Sequence, residues 1–264
     1  MSESLSGWLA LRERVDHASR SVALTRAIVA ALPADRPLRI VDLGSGTGSN
    51  VRYLAPLLPS PQRWLAVDRD ADLMDRAQGA DIVIERKVMN LGELDPGIAA
   101  GAHLVTASAL LDLVSDRWLP ELASACRSAG AQALFALTYD GRSECTPRES
   151  EDDHVRELFN AHQRQSDKGF GAAAGPDAVA ATMDAFKNLG YEVRHEPSDW
   201  ILTPDMQALQ RRLIDGWAIA AAEIAPSEAS AIADWRSRRQ FHVTAERSRI
   251  VVGHVDICAT LRRP

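Results

Sequence analysis

The sequence predicts a doubly wound α/β fold in which helices cover a mainly parallel, seven-stranded sheet. Short aliphatic segments alternate with helical segments from residue 38 to about residue 140, and a glycine-rich turn directly follows the first aliphatic segment. The 264-residue chain has no internal repeat, low-complexity run or linker that would separate two domains. Alternation of this kind is typical of βαβ units, whose parallel strands are buried on both faces.

The predicted strands are short, rich in aliphatic residues and bounded by glycine, proline or polar residues. They comprise residues 38–43, 63–68, 81–88, 102–107, 131–138, 191–195 and 249–257.

The predicted helices begin with one N-terminal helix, which ends before Pro33, and include a long late block that is broken at Pro226. They comprise residues 5–32, 47–58, 71–78 (closed by Gly79), 115–128, 150–165, 177–189 and 204–240.

Composition excludes several classes of protein. The 36 acidic residues exceed the 30 basic ones, and the net charge of -6 argues against a nucleic-acid-binding stripe. Cys126, Cys145 and Cys258 stand far apart, so neither a disulfide framework nor a metal site is expected. No segment approaches the ~20 apolar residues that span a bilayer, and the N-terminus has no signal-peptide pattern. We expect a cytoplasmic protein without membrane contact.

The most informative stretch is the turn after the first strand, which reads VDLGSGTG from Val41 to Gly48. Glycine allows the main chain to approach a ligand closely and to adopt conformations that other residues avoid. In open parallel sheets, ligands bind beyond the carboxyl ends of the strands, near the point where the strand order reverses. This turn is therefore the predicted cofactor site.

The neighbouring residues indicate which kind of cofactor fits. The spacing is G-x-G-x-G, and Ser49 stands where a dinucleotide fingerprint has its third small residue. Asp42 places a carboxylate beside the turn, which suits a cationic ligand better than a diphosphate. Asp68 ends the second strand, where a carboxylate can accept hydrogen bonds from ribose hydroxyls. A cofactor with a ribose, a positive charge and no phosphates satisfies these observations.

The motif DLGSGTG after the first strand, with an acidic residue at the end of the second, resembles the class I S-adenosylmethionine-dependent methyltransferases. The resemblance covers most of residues 36–257 in element order, although the motifs are concentrated in residues 40–112. It implies a Rossmann-like fold, S-adenosyl-L-methionine as cofactor and a methyl acceptor as substrate.

The resemblance also implies roles for individual residues. Asp42 would orient the cofactor's amino group or hold the loop, and Asp68, with Arg69 beside it, would bind the ribose part. Asn90 would meet the adenine amino group with Leu91 against the ring, although the family more often has Asp at this place. The residues around the methionine part and the sulfonium would be Gly44, Ser45, Gly46, Gly48 and, after the fourth strand, Ser108.

On the first helix, Trp8, Arg12, Asp16 and Arg20 recur every four residues and form one stripe. An arginine of this stripe can bind the cofactor's carboxylate, and Arg20 is our candidate. The other interpretation is a ladder of ion pairs on a solvated helix.

Catalysis requires a base only if the acceptor loses a proton. His162 in a charged helix is the preferred base or acceptor-binding residue, and Tyr139 after the fifth strand is a second candidate. A solvated histidine is the alternative for His162. Phe170, between two glycines and near Lys168, is either a lid residue or part of a simple turn.

We therefore predict a single domain over residues 1–264, with an N-terminal helix in 1–35 and a cofactor-binding half in 36–140. Helical insertions at 141–175 and 203–247 would form the acceptor pocket or a lid. The predicted function is methyl transfer to a small molecule by in-line displacement. The sequence leaves the acceptor, the atom that is methylated and the oligomeric state open.

Three alternatives remain open. A methyltransferase acting on RNA, DNA or protein is disfavoured because SALL, from Ser108 to Leu111, stands where amino-methylating enzymes carry Asn/Asp-Pro-Pro-aromatic, and no Pro-Cys pair occurs. A non-catalytic cofactor-binding protein of the same fold agrees with the absence of an obvious base. A nicotinamide oxidoreductase is disfavoured by the glycine spacing.

Overall fold

The computed structural model describes residues 5–76, 82–165, 167 and 169–261. Within these residues eight strands form one sheet in the order β3-β2-β1-β4-β5-β8-β6, and β7 also pairs with β8. The strands are β1 (Leu38–Leu43), β2 (Gln62–Asp68), β3 (Val83–Val88), β4 (Leu104–Ser108), β5 (Gln132–Thr146), β6 (Glu192–Pro197), β7 (Trp200–Leu202) and β8 (Arg249–Thr260).

Nine α-helices surround this sheet in the described part of the chain, and short 3-10 turns adjoin some of them. They are α1 (Leu5–Ser19), α2 (Val22–Ala31), α3 (Ser49–Leu54), α4 (Ala71–Met74), α5 (Trp118–Ala129), α6 (Asp152–Gln165), α7 (Ala178–Asn188), α8 (Gln207–Ile224) and α9 (Ala229–Thr244). The predicted doubly wound fold with a mainly parallel sheet is confirmed. None of the helices in the described ranges is long and apolar enough to cross a membrane.

The sheet has a core on each face because neighbouring strand residues point to opposite sides. Leu38 and Ile40 of β1 pack with α2 and α3 on one face. Val41 and Leu43 of the same strand belong to the other core, which α5 and α7 cover. A third apolar cluster joins α6, α8 and α9 to the outer parts of β5, β7 and β8.

The N-terminal segment differs from the prediction of a single helix. The helix ends at Ser19, and Ser21 begins α2 as its N-cap, with its side-chain oxygen accepting a hydrogen bond from the Leu24 amide. Ser21 also donates its own amide to the buried carboxylate of Asp256, 235 residues later in the chain. A distant acceptor therefore fixes the break between the two helices.

The fifth strand is longer than predicted. We expected it to end at Thr138, because Asp140-Gly141 is typical of a turn. In the structure β5 continues to Thr146 along antiparallel β8, with register shifts between Phe135 and Thr138 and between Tyr139 and Ser143. The irregularities absorb the turn-forming residues, so the strand bends without ending.

Other elements also differ from the prediction, and some predicted boundaries cannot be compared. The three-residue β7 makes the described sheet eight-stranded and not seven-stranded, and α4 ends at Met74. The predicted helix end at Gln78 and Gly79, the predicted strand start at Asp81, and Lys168 lie outside the described residues.

Candidate active site

The strand register brings the predicted cofactor residues to one edge of the sheet. Leu43 of β1 lies opposite Val67 of β2 and opposite Ala107 of β4. The residues that follow these three positions, Gly44, Asp68 and Ser108, therefore emerge side by side. This edge is also where the strand order reverses, between β1 and β4.

The glycine turn adopts a backbone that favours glycine. Gly44, Gly46 and Gly48 have φ values of +64°, +51° and +80°, which is the left-handed region that L-residues with a side chain rarely adopt. A Cβ atom on Gly46 would also lie 3.3 Å from the Leu9 side chain. The turn therefore needs glycine both for its conformation and for the close approach of α1.

Asp68 holds this turn in place. One of its carboxylate oxygens accepts the Gly46 amide at 2.8 Å, and the other accepts the Asp70 amide at 3.0 Å. The helix after β2 is capped by Asp70, which accepts the Leu73 amide. Asp68 is therefore not the cap of that helix, and its carboxylate stays at the carboxyl edge of the sheet.

Asp42 supports the turn from beneath. It is fully buried, and its Oδ1 accepts a hydrogen bond from Asn50 Nδ2 at 2.7 Å. Burial raises the pKa of Asp42 to about 6, although the Asn50 hydrogen bond acts in the opposite direction. Of the two roles considered for Asp42, its position favours holding the loop.

Arg20 lies in the same buried network and not at a cavity wall. Its Nη1 donates to Asn50 Oδ1 at 2.8 Å, and its Nε lies 3.4 Å from a carboxylate oxygen of Asp256. The guanidinium carbon lies 4.4 Å from the centre of the Tyr53 ring. These contacts join the α1–α2 junction to α3 and β8, and they leave Arg20 outside the cavity described next.

A cavity of about 370 Å³ opens above the glycine turn. The predicted residues that line it are Gly44, Ser45, Gly46, Asp68, Arg69, Leu91 and Ser108, whereas Asp42, Gly48, Arg20 and Asn90 do not line it. After Ser108 the chain turns sharply at Ala109, which has a φ of +52° and also lines the cavity.

The loop after β3 separates the two residues predicted to meet adenine. Leu91 is buried and lines the cavity, and its carbonyl accepts the Trp118 indole N–H at 2.7 Å. Asn90 is exposed, and its Oδ1 accepts the Gly92 amide at 3.0 Å. It lines a shallow depression beside the cavity, and Arg69 lines both.

Helix α1 supplies a cavity wall that sequence analysis assigned only in part. Trp8, Leu9, Arg12 and Asp16 of α1 line the cavity. Their spacing shows that Trp8, Arg12 and Asp16 share a stripe, but not which side of the helix meets the ligand. Phe170 also lines the cavity and packs edge-on against the buried Trp118, with ring centroids 6.2 Å apart.

A second, more open groove of about 650 Å³ lies between α1, α6 and α8. Its apolar walls include Trp8, Phe159 and Trp217, and Trp8 is shared with the first cavity. His162 lines this groove and its Nε2 lies 2.9 Å from Glu223 Oε2.

Tyr139 lies outside both cavities. Its hydroxyl donates to Asn160 Oδ1 at 2.8 Å, and Asn160 Nδ2 in turn donates to the Gly141 carbonyl. Burial raises the pKa of Tyr139 above its ordinary value. This phenol is therefore neutral near pH 7 and ties β5 to α6.

Comparisons with known proteins agree with the fold. No protein-family model and no curated protein sequence matches the chain. A proposed type II methyltransferase from Anaeromyxobacter dehalogenans superposes with a TM-score of 0.52 at 18% identity, covering 90% of this chain and 94% of its own. The YcgJ protein from Bacillus subtilis superposes with a TM-score of 0.50 at 14% identity, covering 94% and 100%.

A third solved structure, an S-adenosylmethionine-dependent methyltransferase from Thiobacillus denitrificans in complex with S-adenosyl-L-homocysteine, has a TM-score of 0.44 at 15% identity, covering 99% of this chain and 100% of its own. At 18% and 14% identity, the structural similarity to the first two proteins shows a shared fold and nothing more. The resemblance inferred from the glycine turn is confirmed at this level: the chain has the class I methyltransferase fold.

Proposed function

We propose that this protein is a methyltransferase that transfers the methyl group of S-adenosylmethionine to a small molecule. The observation that carries the proposal is the cavity at the β1/β4 strand reversal, where Gly44, Gly46 and Asp68 meet. Its volume of about 370 Å³ lies within the range of small-molecule sites, roughly 300–1,000 Å³.

The residues present fit this cofactor. Ser45 and the glycines on either side of it would surround the methionine part, and Asp68 would accept the ribose hydroxyls with the capacity that remains on its carboxylate. Leu91 offers an apolar surface for the adenine ring, and Ser108 would lie near the sulfonium. Asp68 holds the turn through the Gly46 amide, so cofactor binding and loop geometry depend on the same side chain.

When bound, S-adenosylmethionine supplies an electrophilic methyl group, and the protein has to hold the acceptor in line with it. Much of the barrier to such a displacement can be removed by positioning alone. Trp8 and Phe170 both line the cavity, and their rings would help to exclude water from it.

The groove between α1, α6 and α8 is the proposed acceptor site. It adjoins the cofactor cavity at Trp8 and is formed largely by the two helical insertions. His162 would take a proton from the acceptor if one must leave, with Glu223 orienting its imidazole. Tyr139 supports the groove through Asn160, and we propose no catalytic step for it.

Titration calorimetry with S-adenosylhomocysteine and with NADH tests this function. We expect S-adenosylhomocysteine to bind and NADH not to bind. Asp68→Ala should weaken S-adenosylhomocysteine about 10- to 100-fold, because hydrogen bonds to a charged group contribute about 1.5–3 kcal/mol.

The matched control is Asp75→Ala, which removes an exposed carboxylate next to α4 and should leave the affinity unchanged. Binding of NADH without S-adenosylhomocysteine would overturn the proposed function. If both variants lost the same affinity for S-adenosylhomocysteine, the role proposed for Asp68 would be wrong.

A further inference from the structure

An ion pair on α1 faces the proposed cofactor cavity. Arg12 Nε and Asp16 Oδ2 are 2.7 Å apart, four residues apart on the helix, and both side chains line the cavity. They are 13% and 9% exposed. A solvated ladder of ion pairs, the simpler interpretation of this stripe, would not be this well buried.

Half of the Asp16 carboxylate has no partner. Its Oδ1 is buried and accepts no hydrogen bond from the described residues. Burial raises the pKa of Asp16, although Arg12 and, last in order, the neighbouring Trp200 indole N–H act in the opposite direction. An unpaired buried carboxylate oxygen is costly, and a positively charged donor from a ligand would relieve that cost.

Arg12 has donors to spare. Among the described residues, Arg12 donates one side-chain hydrogen bond, from its Nε to Asp16. The guanidinium carbon lies 5.1 Å from the centre of the Trp200 ring, which holds the plane of the group. A guanidinium held in this way can offer its terminal nitrogens to a carboxylate.

The pair lies above the glycine turn. Leu9, one helical turn before Arg12, approaches Gly46. On the other side, His17 Nε2 lies 3.0 Å from the hydroxyl of Ser49, at the start of α3. Arg12 and Asp16 are thus held between two contacts to the turn and the helix that follows it.

We propose that Arg12 and Asp16 together bind the amino-acid end of the cofactor: Arg12 binds the α-carboxylate and Asp16 Oδ1 binds the α-ammonium group. This inference rests on the proposed function. Arg12 offers spare donors and Asp16 a spare acceptor. The amino-acid end of the cofactor presents a carboxylate and an ammonium group on the same α-carbon, so the pair complements both charges. The role first considered for Arg20 thus falls to Arg12, eight residues or about two helical turns earlier.

Two related ligands test the inference by calorimetry. S-adenosylhomocysteine carries the amino-acid end, whereas 5′-methylthioadenosine has the same adenosine and sulfur without it. We expect Asp16→Asn and Arg12→Met each to weaken S-adenosylhomocysteine at least tenfold and to leave methylthioadenosine unchanged. The double variant should lose less than the sum of the two single losses, because each side chain is positioned by its ion pair with the other.

Glu13→Gln is the matched control, since Glu13 lies on α1 and forms an ion pair with Arg52 of α3 but does not line the cavity. It should leave the ratio of the two affinities unchanged, as should Trp200→Phe, which removes the neighbouring indole N–H.

Equal losses for both ligands in the Asp16 and Arg12 variants would show a structural ion pair and overturn the inference, while the proposed function would stand. If the unmodified protein binds neither ligand, the proposed function fails and the inference fails with it. Circular dichroism of each variant separates loss of binding from loss of folding.

Discussion

At the level of single residues, the aspartates have different roles because their partners differ. Asp68 accepts two backbone amides at the edge of the cavity. Asp256 is buried in β8 and accepts the amides of Ser21 and Leu137, so it fixes both a helix start and a strand irregularity. The residue type alone does not reveal these roles, because the partners are distant in the chain.

Asp112 provides a residue-level prediction about pH. Its Oδ1 is buried without a partner in the described structure, and burial raises the pKa of Asp112 to about 6, against a smaller lowering by a backbone hydrogen bond. The folded state therefore binds this proton more tightly than the unfolded state does. The stabilisation is present at low pH and is lost as the pH rises through about 6.

Asp112→Asn removes this titration. Urea unfolding at pH 4 and at pH 8 gives the free energy of unfolding of the variant and of the unmodified protein. The difference between the two proteins should shift by about 2 kcal/mol in favour of the variant from pH 4 to pH 8. Asp116→Asn, at an exposed position in the same loop, is the control and should show no such difference. A constant offset between the Asp112 variant and the parent at both pH values would contradict the prediction.

At the level of elements, the α1–α2 junction sets the direction in which α1 crosses the cavity. Ser21 caps α2 through Leu24, donates its hydroxyl to Glu196 of β6 and donates its amide to Asp256 of β8. Local sequence provides the cap, whereas β6 and β8 provide the anchor. Together these contacts fix the start of α2 against β6 and β8.

Ser21→Ala should lower the free energy of unfolding by about 1–2 kcal/mol, because it removes the cap and the hydrogen bond to Glu196. The backbone bond to Asp256 survives the substitution, so the fold should be retained. Chemical denaturation measures the effect. Ser230→Ala, exposed on α9, should change stability much less, and similar losses in the two variants would argue against the capping role.

At the level of the whole molecule, a buried ion pair connects α9 to α6. Arg239 of α9 is fully buried and binds Asp152 of α6 through Nη2 at 2.6 Å and Nε at 2.9 Å. It also donates to the Pro147 carbonyl, and the Trp235 indole N–H donates to Asp152. The cluster thus fastens α9 to the start of α6, away from the cofactor cavity.

Arg239→Met should destabilise the protein by about 3–5 kcal/mol, because it leaves a carboxylate buried without its counterion. The double variant with Asp152→Asn should recover part of this loss. The control is Arg236→Met, on the same helix as Arg239, which breaks an exposed ion pair with Asp215 of α8. It should cost less than about 1 kcal/mol. Additive losses in the double variant, measured by thermal unfolding, would contradict the prediction.

Sequence alone was sufficient for the alternation of strands and helices, for the glycine turn and for Asp68. Each of these depends on local properties: aliphatic runs, glycine conformations and the place of a carboxylate at a strand end. The β1 boundaries, Leu38–Leu43, coincide with the prediction, because Pro37 and Gly44 bound a mainly aliphatic run.

Only the tertiary structure decided which residues of α1 meet the cavity, where α2 begins and how far β5 extends. Residues four apart on a helix form a stripe whichever side of the helix faces the cavity. Spacing therefore cannot show whether Arg12 or Arg20 reaches the cavity. That choice depends on Asp256 and Asn50, which hold Arg20 in the interior. Contacts between residues so far apart form only when the sheet has brought them together.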